Sequence, residues 1–454
     1  MVPKAWVFAA LLCLSASALP AGDLPAPARQ DSFPIPSADS VLLGRDLFFD
    51  PILSGNRNIS CGTCHHPSLA SGDEMSLSIG EGGIGLGRKR VPDPANLPRV
   101  RVPRNAPALF NLGAAEFTTL FHDGRVQRDP DAPFGIRMPP DFPLERAAEG
   151  PLAAQAALPV TSHHEMAGQP GENEIADAVE AGRIHGRDGA WQILTKRVAT
   201  IPEYRQRFAW LKGNDDALHI TDIGKVIGDF IAFEFRSVDS PFDAFLRGDD
   251  TALSNDQRRG MSLFYGKAGC AACHSGLYQT DHGFHALGLP PIGPGKGHGP
   301  GGYADHGRAG VTGQQEDLYS FRTPSLRNVT ITAPYGHNGA YAELEDIIRH
   351  HLDPLTWLAQ YKVDKALLPE VETDIPDTAA LDDFDEMLRI AMSVTLEPLP
   401  LRDDEIQAII AFLAALEDPQ AGRGRLGAPY SVPSGLPVDT GPMDHGTGTA
   451  SSDY

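Results

Sequence analysis

Cysteine is scarce in this chain of 454 residues, which contains only five. Cys13 lies close to the N-terminus, and the other four cysteines form two CxxC pairs. So few cysteines exclude a small domain held together by a dense disulfide framework. The count alone leaves two structural disulfides or two thioredoxin-like redox pairs open.

Basic residues are also few, because 38 Lys and Arg stand against 59 Asp and Glu, for a formal net charge of −21. The acidic residues are scattered along the chain, which predicts a solvated acidic surface. Such a surface argues against binding to nucleic acid or to anionic lipid, since both need basic patches. It favours a basic protein partner, but only weakly.

Long apolar runs are missing as well, and none approaches the roughly 20 residues that a membrane-spanning helix needs. Ala5–Leu14 is an apolar run of ten residues, preceded by Lys4 and followed by the small residues Ala16–Ala18. This layout predicts a cleaved signal peptide over residues 1–21. We therefore expect an exported protein without a membrane span, long enough for two domains.

Each CxxC pair is followed immediately by a histidine, and CxxCH is the attachment signature of c-type haem. Neither disulfides nor redox pairs would require histidine at the same offset twice. In such a motif each cysteine sulfur binds a haem vinyl group, and the histidine binds the iron. The sequence thus predicts two covalently bound haem c groups, at Cys61, Cys64 and His65 and at Cys270, Cys273 and His274.

Helical periodicity and the 47 glycines and 39 prolines predict a mainly α fold with long loops. One helix is expected from Ile223 to Phe235, capped by Thr221, and another after a cap at Ser254. Further helices are expected over residues 343–352 and 405–416. The segment 237–250 is predicted to be a hinge between domains.

Further motifs follow one another along the chain: Pro103-Arg104-Asn105-Ala106-Pro107, Phe121-His122-Asp123-Gly124-Arg125, Ser240-Pro241-Phe242-Asp243, Arg322-Thr323-Pro324-Ser325-Leu326-Arg327-Asn328 and Thr332-Ala333-Pro334-Tyr335-Gly336-His337-Asn338-Gly339. With the CxxCH motifs, they resemble the bacterial di-haem cytochrome c peroxidase superfamily, which includes the MauG-type enzymes. The resemblance implies two cytochrome c-like domains, residues 22–238 with a peroxidatic haem and residues 239–418 with an electron-transfer haem. Residues 419–454 are expected to form a disordered tail.

The resemblance implies a periplasmic peroxidase that reduces hydrogen peroxide to water with electrons from a small redox protein, a cytochrome c or a cupredoxin. The alternative is a MauG-like oxidase that uses peroxide to modify a partner protein through a high-valent iron state. A non-enzymatic electron carrier is a third reading and would require both haems to be six-coordinate. The resemblance also allows a homodimer.

Motif positions carry the family's catalytic roles over to Glu165, Pro159 and His122. Glu165 would move a proton during peroxide cleavage, in a pocket shaped by Pro159. His122 replaces the Trp that lies between the haems in most relatives, so a relay role and a structural role both stay open. Glu81 stands where many peroxidases have a removable distal His, so the first haem is expected to be five-coordinate or weakly water-ligated.

In this superfamily the second haem takes a further ligand fourteen residues after the His of the Pro-Tyr-x-His-x-Gly segment. Counting from His337 gives His351, which predicts bis-histidine ligation by His274 and His351. Peroxidases of the family have Met here and the MauG branch has Tyr. His350 lies about 100° away around the helix and is expected at the surface or beside the ligand.

The superfamily also holds a calcium ion between its domains. Carried over by motif, its protein ligands would be the Asn105 side chain and the backbone carbonyls of Thr332 and Pro334. Calcium is a hard cation that binds oxygen ligands, and water can fill the remaining positions. The resemblance therefore implies two haem c groups and one calcium ion.

Overall fold

Helices supply most of the regular structure in residues 24–439, which the computed structural model describes; the predicted signal peptide, residues 1–21, lies outside them. None of the helices in this part has the length and apolar character needed to cross a bilayer. The N-terminal helices are α1 Ala38–Phe49, α2 Cys61–Cys64, α3 Pro151–Gln155, α4 Glu174–Glu180, α5 Ala190–Ala199, α6 Pro202–Lys212 and α7 Ile220–Glu234. The C-terminal helices are α8 Pro241–Leu246, α9 Asn255–Phe264, α10 Ala309–Thr312, α11 Leu344–Leu352, α12 Pro354–Ala359, α13 Phe384–Ser393 and α14 Asp403–Ala414. The prediction of a mainly α fold is confirmed.

Three small antiparallel sheets lie in the long loops between these helices. Their strands are β1 Gly83–Ile84, β2 Val91–Pro92, β3 Thr119–Leu120, β4 Val126–Arg128, β5 Ile136–Arg137, β6 Phe284–His285 and β7 Phe321–Arg322. The sheet orders are β1-β2, β3-β4-β5 and β6-β7, and in the last sheet Phe284 lies opposite Arg322. Strands of two or three residues fix the course of loops and do not build a core.

Two helix pairs, α1 with α7 and α9 with α14, cross at very short distance, each through a glycine. A Cβ atom on Gly44 would lie 1.8 Å from the carbonyl oxygen of Val226 on α7. A Cβ atom on Gly260 would lie equally close, 1.8 Å, to the carbonyl oxygen of Ala408 on α14. Only glycine permits such an approach without moving a helix. The chain therefore uses the same crossing twice, once in each half.

The buried apolar residues form two main clusters. The first consists largely of residues between Val41 and Phe235, and the second of residues between Phe242 and Leu416. Leu77 is the exception, because it comes from the N-terminal half and is fully buried in the second cluster. Each cluster thus surrounds one glycine crossing, and Leu77 ties the two halves together.

The predicted helix starts are right for α9 and displaced for α7. Ser254 accepts a hydrogen bond from the Gln257 amide and caps α9. At α7 the cap is His219, whose Nδ1 accepts from the Thr221 amide, so the helix begins two residues earlier than expected. An imidazole in its neutral form offers one acceptor nitrogen and can replace the hydroxyl of a usual cap.

The segment 237–250 is packed, and the prediction of a hinge there is wrong. It contains helix α8, in which Phe242 and Asp243 are fully buried. Asp243 forms an ion pair with Arg327, Nη1 to Oδ2 at 2.5 Å, with both side chains wholly shielded from solvent. Breaking such a buried pair would cost about 3–5 kcal/mol. In the segment 237–250, the Pro and the Asp/Gly residues therefore correspond to the start of a helix and to a turn.

The expected disordered tail is also wrong for residues 419–439, which pack against the N-terminal half. Two backbone amides near the start of this segment donate to the buried carboxylate of Glu234. Val432 is part of the first apolar cluster, and Asp439 accepts a hydrogen bond from Thr63 Oγ1 at 2.5 Å. The Gly/Ser/Pro-rich composition does not show these anchors, because they lie far away in sequence. Residues beyond 439 lie outside the described part of the chain.

The two halves meet at a buried charge network. Arg104 donates to Asp123 at 2.6 Å and to both carboxylate oxygens of Asp305 at 2.7 Å. Burial alone would raise the pKa of the Asp123 carboxyl, but Arg104 and Arg125 lower it to about 2. Because paired charges of this kind are directional and costly to separate, they fix how the halves face each other.

Candidate functional site

The first CxxCH motif forms helix α2, with His65 directly after it. A Cβ atom on Gly62 would lie 2.3 Å from the Phe49 ring of α1, so the motif is pressed against that helix. His65 Nδ1 lies 3.0 Å from the Ser71 carbonyl oxygen and donates to it. Nε2 is then the unprotonated nitrogen, and the ring orientation is fixed as an axial iron ligand requires.

The second motif repeats this arrangement. Cys270–Ala272 forms a single helical turn, and His274 Nδ1 donates to the Gln279 carbonyl oxygen at 3.2 Å. Burial and the nearby His351 lower the pKa of His274 to about 4, so the ring is neutral at physiological pH. Both predicted proximal histidines are thus neutral, oriented, and free at Nε2.

The four cysteines in the described part of the chain are free, which argues against the disulfide alternative. Burial raises the pKa of Cys61, Cys64 and Cys270 to about 12. Redox-active thiols need a lowered pKa, so a thioredoxin-like role does not fit either. The cysteines and histidines of both motifs lie deep in the fold yet keep part of their surface accessible. Paired free thiols beside two oriented imidazoles are the residues that two covalently attached haems need.

The structure separates the two adjacent histidines of α11. His351 Nδ1 donates to the Ile347 carbonyl oxygen at 2.7 Å, which leaves Nε2 free on the side of His274. His350 is fully buried, and its two ring nitrogens lie 2.9 Å from the Tyr341 hydroxyl and 2.9 Å from the Leu287 carbonyl. His350 therefore has no nitrogen left for iron. Of its two expected positions, at the surface or beside the ligand, its burial excludes the surface.

Glu165 lies within electrostatic range of Cys61 and Cys64, where its charge helps to raise the pKa of both thiols. It belongs to a π-helical turn, His163–Ala167, that follows the turn begun by Pro159. Burial raises the pKa of the Glu165 carboxyl, while Lys296 and Arg125 oppose the rise. A buried carboxyl with a raised pKa accepts a proton more readily than an exposed one, as a general base must.

A Gly-rich loop, residues 78–87, closes over this turn. A Cβ atom on Gly80 would lie 1.9 Å from the His164 carbonyl oxygen, so the loop touches the backbone beside Glu165. The loop is held by the buried Arg90, which donates to the carbonyl oxygens of Ile79, Gly80 and Gly85. Three hydrogen bonds from one guanidinium keep the loop in this position.

Glu81, in the same loop, is turned toward asparagines. Its Oε1 accepts hydrogen bonds from Asn56 at 2.8 Å, Asn58 at 2.8 Å and Asn96 at 3.1 Å. Burial raises the pKa of the Glu81 carboxyl, and the amides of Asn56 and Asn58 oppose the rise. Three amide donors fix this side chain within the loop.

Lys296 is a site residue that sequence reasoning missed. It lies in the Gly/Pro-rich loop 288–302 of the C-terminal half, yet it interacts electrostatically with Glu165 and Arg125. Burial lowers its pKa to about 8, with further lowering from Arg125 and Arg104. Its ammonium group has no hydrogen bond to any described residue. No sequence pattern points to this residue, because a loop without periodicity does not indicate which residues it contacts.

His122 lies at the junction of the two halves. Its backbone carbonyl accepts from the Arg322 amide at 2.7 Å. Burial, together with the nearby cations of Arg104 and Arg322 and with His337, holds the pKa of His122 well below its usual value. His337 in turn stacks on Phe321, with ring centroids 3.6 Å apart. A neutral imidazole and a stacked aromatic pair therefore occupy this region.

Asn105 and the Thr332–Pro334 segment lie next to each other across the junction. The Asn105 amide group donates to the Met75 carbonyl at 2.8 Å, which leaves its Oδ1 as an available acceptor. Its backbone amide donates to the His337 carbonyl at 2.9 Å. Asn105 and Thr332 line the same small cavity, and an oxygen-rich cavity of this kind suits a hard cation.

The sequence model of the family described as di-haem cytochrome c peroxidase matches residues 38–251. The methylamine utilization protein MauG of Methylorubrum extorquens is 30% identical over 329 residues, which cover 71% of this chain and 73% of that protein. The cytochrome c551 peroxidase of Pseudomonas aeruginosa is 31% identical over 310 residues, which cover 67% of this chain and 69% of that protein.

A solved structure has a similar fold over most of the chain. The crystal structure of a MauG-like protein associated with microbial copper homeostasis superposes with a TM-score of 0.55 at 25% identity. The match covers 88% of this chain and 95% of that one. The similarity therefore extends over both CxxCH regions.

Proposed function

This chain belongs to the di-haem cytochrome c peroxidase family, and on that basis we propose that it is a periplasmic enzyme that reduces hydrogen peroxide to water. Family membership identifies it as an oxidoreductase with two haem c groups. The periplasmic location rests on the predicted signal peptide and on the need to attach haem to CxxCH after export. The electrons would come from a small redox protein.

One observation carries the proposal, which is the asymmetry between the two CxxCH regions. Glu165, with its raised pKa, lies near Cys61 and Cys64, whereas His351 lies near His274. A carboxyl suits proton transfer at a reactive site, and an imidazole suits a closed electron-transfer site. We therefore assign peroxide chemistry to the region of His65 and electron storage to the region of His274 and His351.

The first haem, when bound, supplies the iron at which the peroxide oxygen–oxygen bond is cleaved. Glu165 accepts the proton from one peroxide oxygen and delivers it to the other, which leaves as water. Two electrons from two donor proteins and two protons from solvent complete the balance to two water molecules. Pro159 begins the turn that precedes the Glu165 turn, and we assign it a role in shaping the pocket beside that carboxyl.

The supporting electrostatics come from Lys296 in the C-terminal half and from Arg125 in the same half as Glu165. Lys296 and Arg125 favour the ionised form of Glu165 and so counter the effect of burial. This keeps the carboxylate available as a base while its environment remains largely shielded from solvent. His122 stays neutral, and we assign it an electrostatic or hydrogen-bonding role between the sites beside the stacked His337 and Phe321 rings.

Steady-state reduction of peroxide by a reduced cytochrome c or cupredoxin tests the proposal. We expect two equivalents of donor to be oxidised for each peroxide and the rate to fall sharply in Glu165→Gln. A wild-type rate no faster than that of Glu165→Gln would overturn the assignment. Glu149→Gln is the matched control, because Glu149 is exposed and pairs with Lys225.

A MauG-like oxidation of a partner protein is the second candidate. It is favoured by the 30% identity to MauG and by a second-site ligand that is not the Met of family peroxidases. This function predicts that oxidising equivalents persist after one equivalent of peroxide is added without a donor. Rapid return to the resting absorption spectrum, together with fast turnover of small donor proteins, would exclude it.

We also propose a calcium ion at Asn105 Oδ1 and the carbonyl oxygens of Thr332 and Pro334. Support comes from the free Asn105 Oδ1 and the shared cavity with Thr332. Such an ion would stabilise the contact between the halves. Chelation followed by calcium titration, read by thermal unfolding, tests it; identical unfolding curves with and without calcium would contradict it.

A further inference from the structure

Helix α13 presents an unusual exposed apolar stripe. Phe384, Leu388 and Met392 follow each other at intervals of four residues and therefore lie on one face of the helix. Their side chains are 76%, 46% and 79% exposed. The opposite face is anchored, because Ile390 is buried against Tyr319 and Leu358. The stripe is thus held rigidly at the surface and does not belong to the core.

Acidic residues are frequent in the segment that contains this stripe. Residues 370–397 contain nine Asp and Glu and one basic residue, Arg389, which is paired with Glu386 at 2.8 Å. Five of the acids are exposed and have no ion-pair partner among the described residues: Glu370, Glu372, Asp382, Asp385 and Glu397. An apolar stripe within a segment that carries this excess of unpaired negative charge fits a partner with an apolar patch flanked by Lys and Arg.

The stripe is connected to the second haem-binding region. Just after α13, Thr395 donates its backbone amide to the Ala286 carbonyl at 3.2 Å. The next residue, Leu287, accepts from His350 at 2.9 Å, and His350 is the neighbour of His351. A partner bound on α13 would therefore contact a helix that is linked, through Leu287 and His350, to the predicted ligand of the second haem.

Other occupants fit less well. In a two-fold contact between copies of this chain, the same acidic segment would face itself, and like charges would oppose association. Residues 440–454 contain only Met443 and Tyr454 as large apolar residues and carry no Lys or Arg. Neither occupant offers the fixed positive charge that the acidic segment calls for.

We propose that the stripe Phe384–Leu388–Met392, with the exposed acidic residues of its segment, is the docking surface for a small basic electron-donor protein. This inference rests on the proposed peroxidase function. It identifies the donor protein by its charge and by the haem at which it delivers electrons. Donor binding would be guided by charge at a distance and held by the apolar stripe at contact. Electrons would then enter the molecule at the second haem.

The holoenzyme is tested with a basic, reduced cytochrome c as the protein donor and tetramethyl-p-phenylenediamine as a small donor. The stripe variant is Phe384→Ser/Met392→Ser, and the charge variant is Asp382→Asn/Asp385→Asn. Trp210→Ser is the matched control, because Trp210 is also 76% exposed but lies on α6 in the N-terminal half.

We expect the stripe variant to raise KM for cytochrome c about tenfold and the charge variant to raise it severalfold. KM should also rise with ionic strength in the wild type and less in the charge variant. Turnover of the small donor should stay within twofold in all three variants, and Trp210→Ser should behave as wild type.

An unchanged KM for cytochrome c in both the stripe and the charge variants would overturn the proposal. If the stripe variant also loses small-donor turnover, its fold is impaired, and the charge variant then decides. A wild-type dimer that the stripe variant converts to monomer without a change in KM would assign the face to a second copy. If no donor supports reduction of peroxide by the wild type, the proposed function fails. Calorimetry then still tests the docking surface, because cytochrome c should bind the wild type more tightly than the stripe and charge variants.

Discussion

Around Cys61–Cys64 and around Cys270–Cys273 the chain builds the same local framework. In both regions a glycine lets two helices cross at backbone contact distance, through Gly44 and through Gly260. In both, the histidine of the motif donates Nδ1 to a backbone carbonyl and keeps Nε2 free. The framework attaches and orients a haem, and nothing in it distinguishes the two sites.

The difference lies in what the rest of the chain brings to each framework. The first region receives Glu165, Lys296 and a Gly-rich loop held by Arg90, whereas the second receives a single oriented imidazole, His351. A titratable carboxyl beside a cation suits proton transfer, and a second imidazole closes a site to exogenous ligands. In the proposed assignment, one attachment motif serves two functions, and distant segments decide which.

Removal of the carboxyl at the first region should have the largest effect. Glu165→Gln keeps the shape but cannot accept a proton, so we expect kcat/KM for peroxide to fall about 10²–10⁴-fold. The absorption bands of the second haem should not change. A fall in kcat/KM of less than tenfold, or equal spectral changes at both haems, would contradict the assignment of proton transfer to the first region.

A change of ligand at the second region should come next. His351→Met should raise the reduction potential of the second haem, by an amount well inside the roughly 0.8 V range that axial ligands span. His350→Gln should leave that potential unchanged and lower thermal stability, because Tyr341 and Leu287 lose a buried hydrogen-bond partner. Redox titration and thermal unfolding of both variants check this. The opposite pattern would make His350 the ligand.

The shared framework itself can be tested by adding one methyl group to each crossing. Gly44→Ala and Gly260→Ala should each cost on the order of 2–3 kcal/mol of unfolding free energy, since the new Cβ would overlap a carbonyl oxygen. Gly422→Ala is the control, because no atom lies within 4 Å of a Cβ at that position. Denaturant unfolding measures all three, and equal stability of Gly44→Ala and Gly422→Ala would refute the close crossing.

The smallest expected effect concerns the pH profile. Activity requires ionised Glu165, so it should decline as pH falls through the raised pKa of that carboxyl. Lys296→Met removes a cation that lowers the Glu165 pKa, and it should therefore move the acid limb of kcat/KM to higher pH. Lys296→Arg keeps the charge and should leave the limb in place. No shift in Lys296→Met, or an equal shift in both variants, would show that the charge of Lys296 does not act on Glu165.

Local signals in the sequence were sufficient for the motifs and for several helices. The start of α9 at Ser254 follows from the cap. The choice of His351 over His350 comes from the family's spacing after His337, and the angle between neighbours on a helix allows only one of the two to face the iron. What failed depends on contacts distant in sequence. The hinge prediction missed the buried Asp243–Arg327 pair, and the tail prediction missed the anchors at Glu234 and Thr63.

Lys296 shows the same limit within the site. Neither its glycine-rich surroundings nor its charge indicates that a loop of the C-terminal half reaches the carboxyl beside the first motif. The composition of a segment reflects its local conformational preferences. The position of Lys296 depends instead on residues that are distant in sequence and come together only in the folded chain. Arg90 was missed for the same reason. Its role is visible only in its hydrogen bonds to three loop carbonyl oxygens, which form in the folded chain.

The most direct test of the division of labour is the spin state of the resting, fully oxidised protein by electron paramagnetic resonance. The account predicts one high-spin haem, at the region of His65, and one low-spin haem with two imidazole ligands. The low-spin signal should change in His351→Met, and the high-spin signal should not. Two low-spin haems, or a His351→Met variant whose low-spin signal is unaltered, would contradict it.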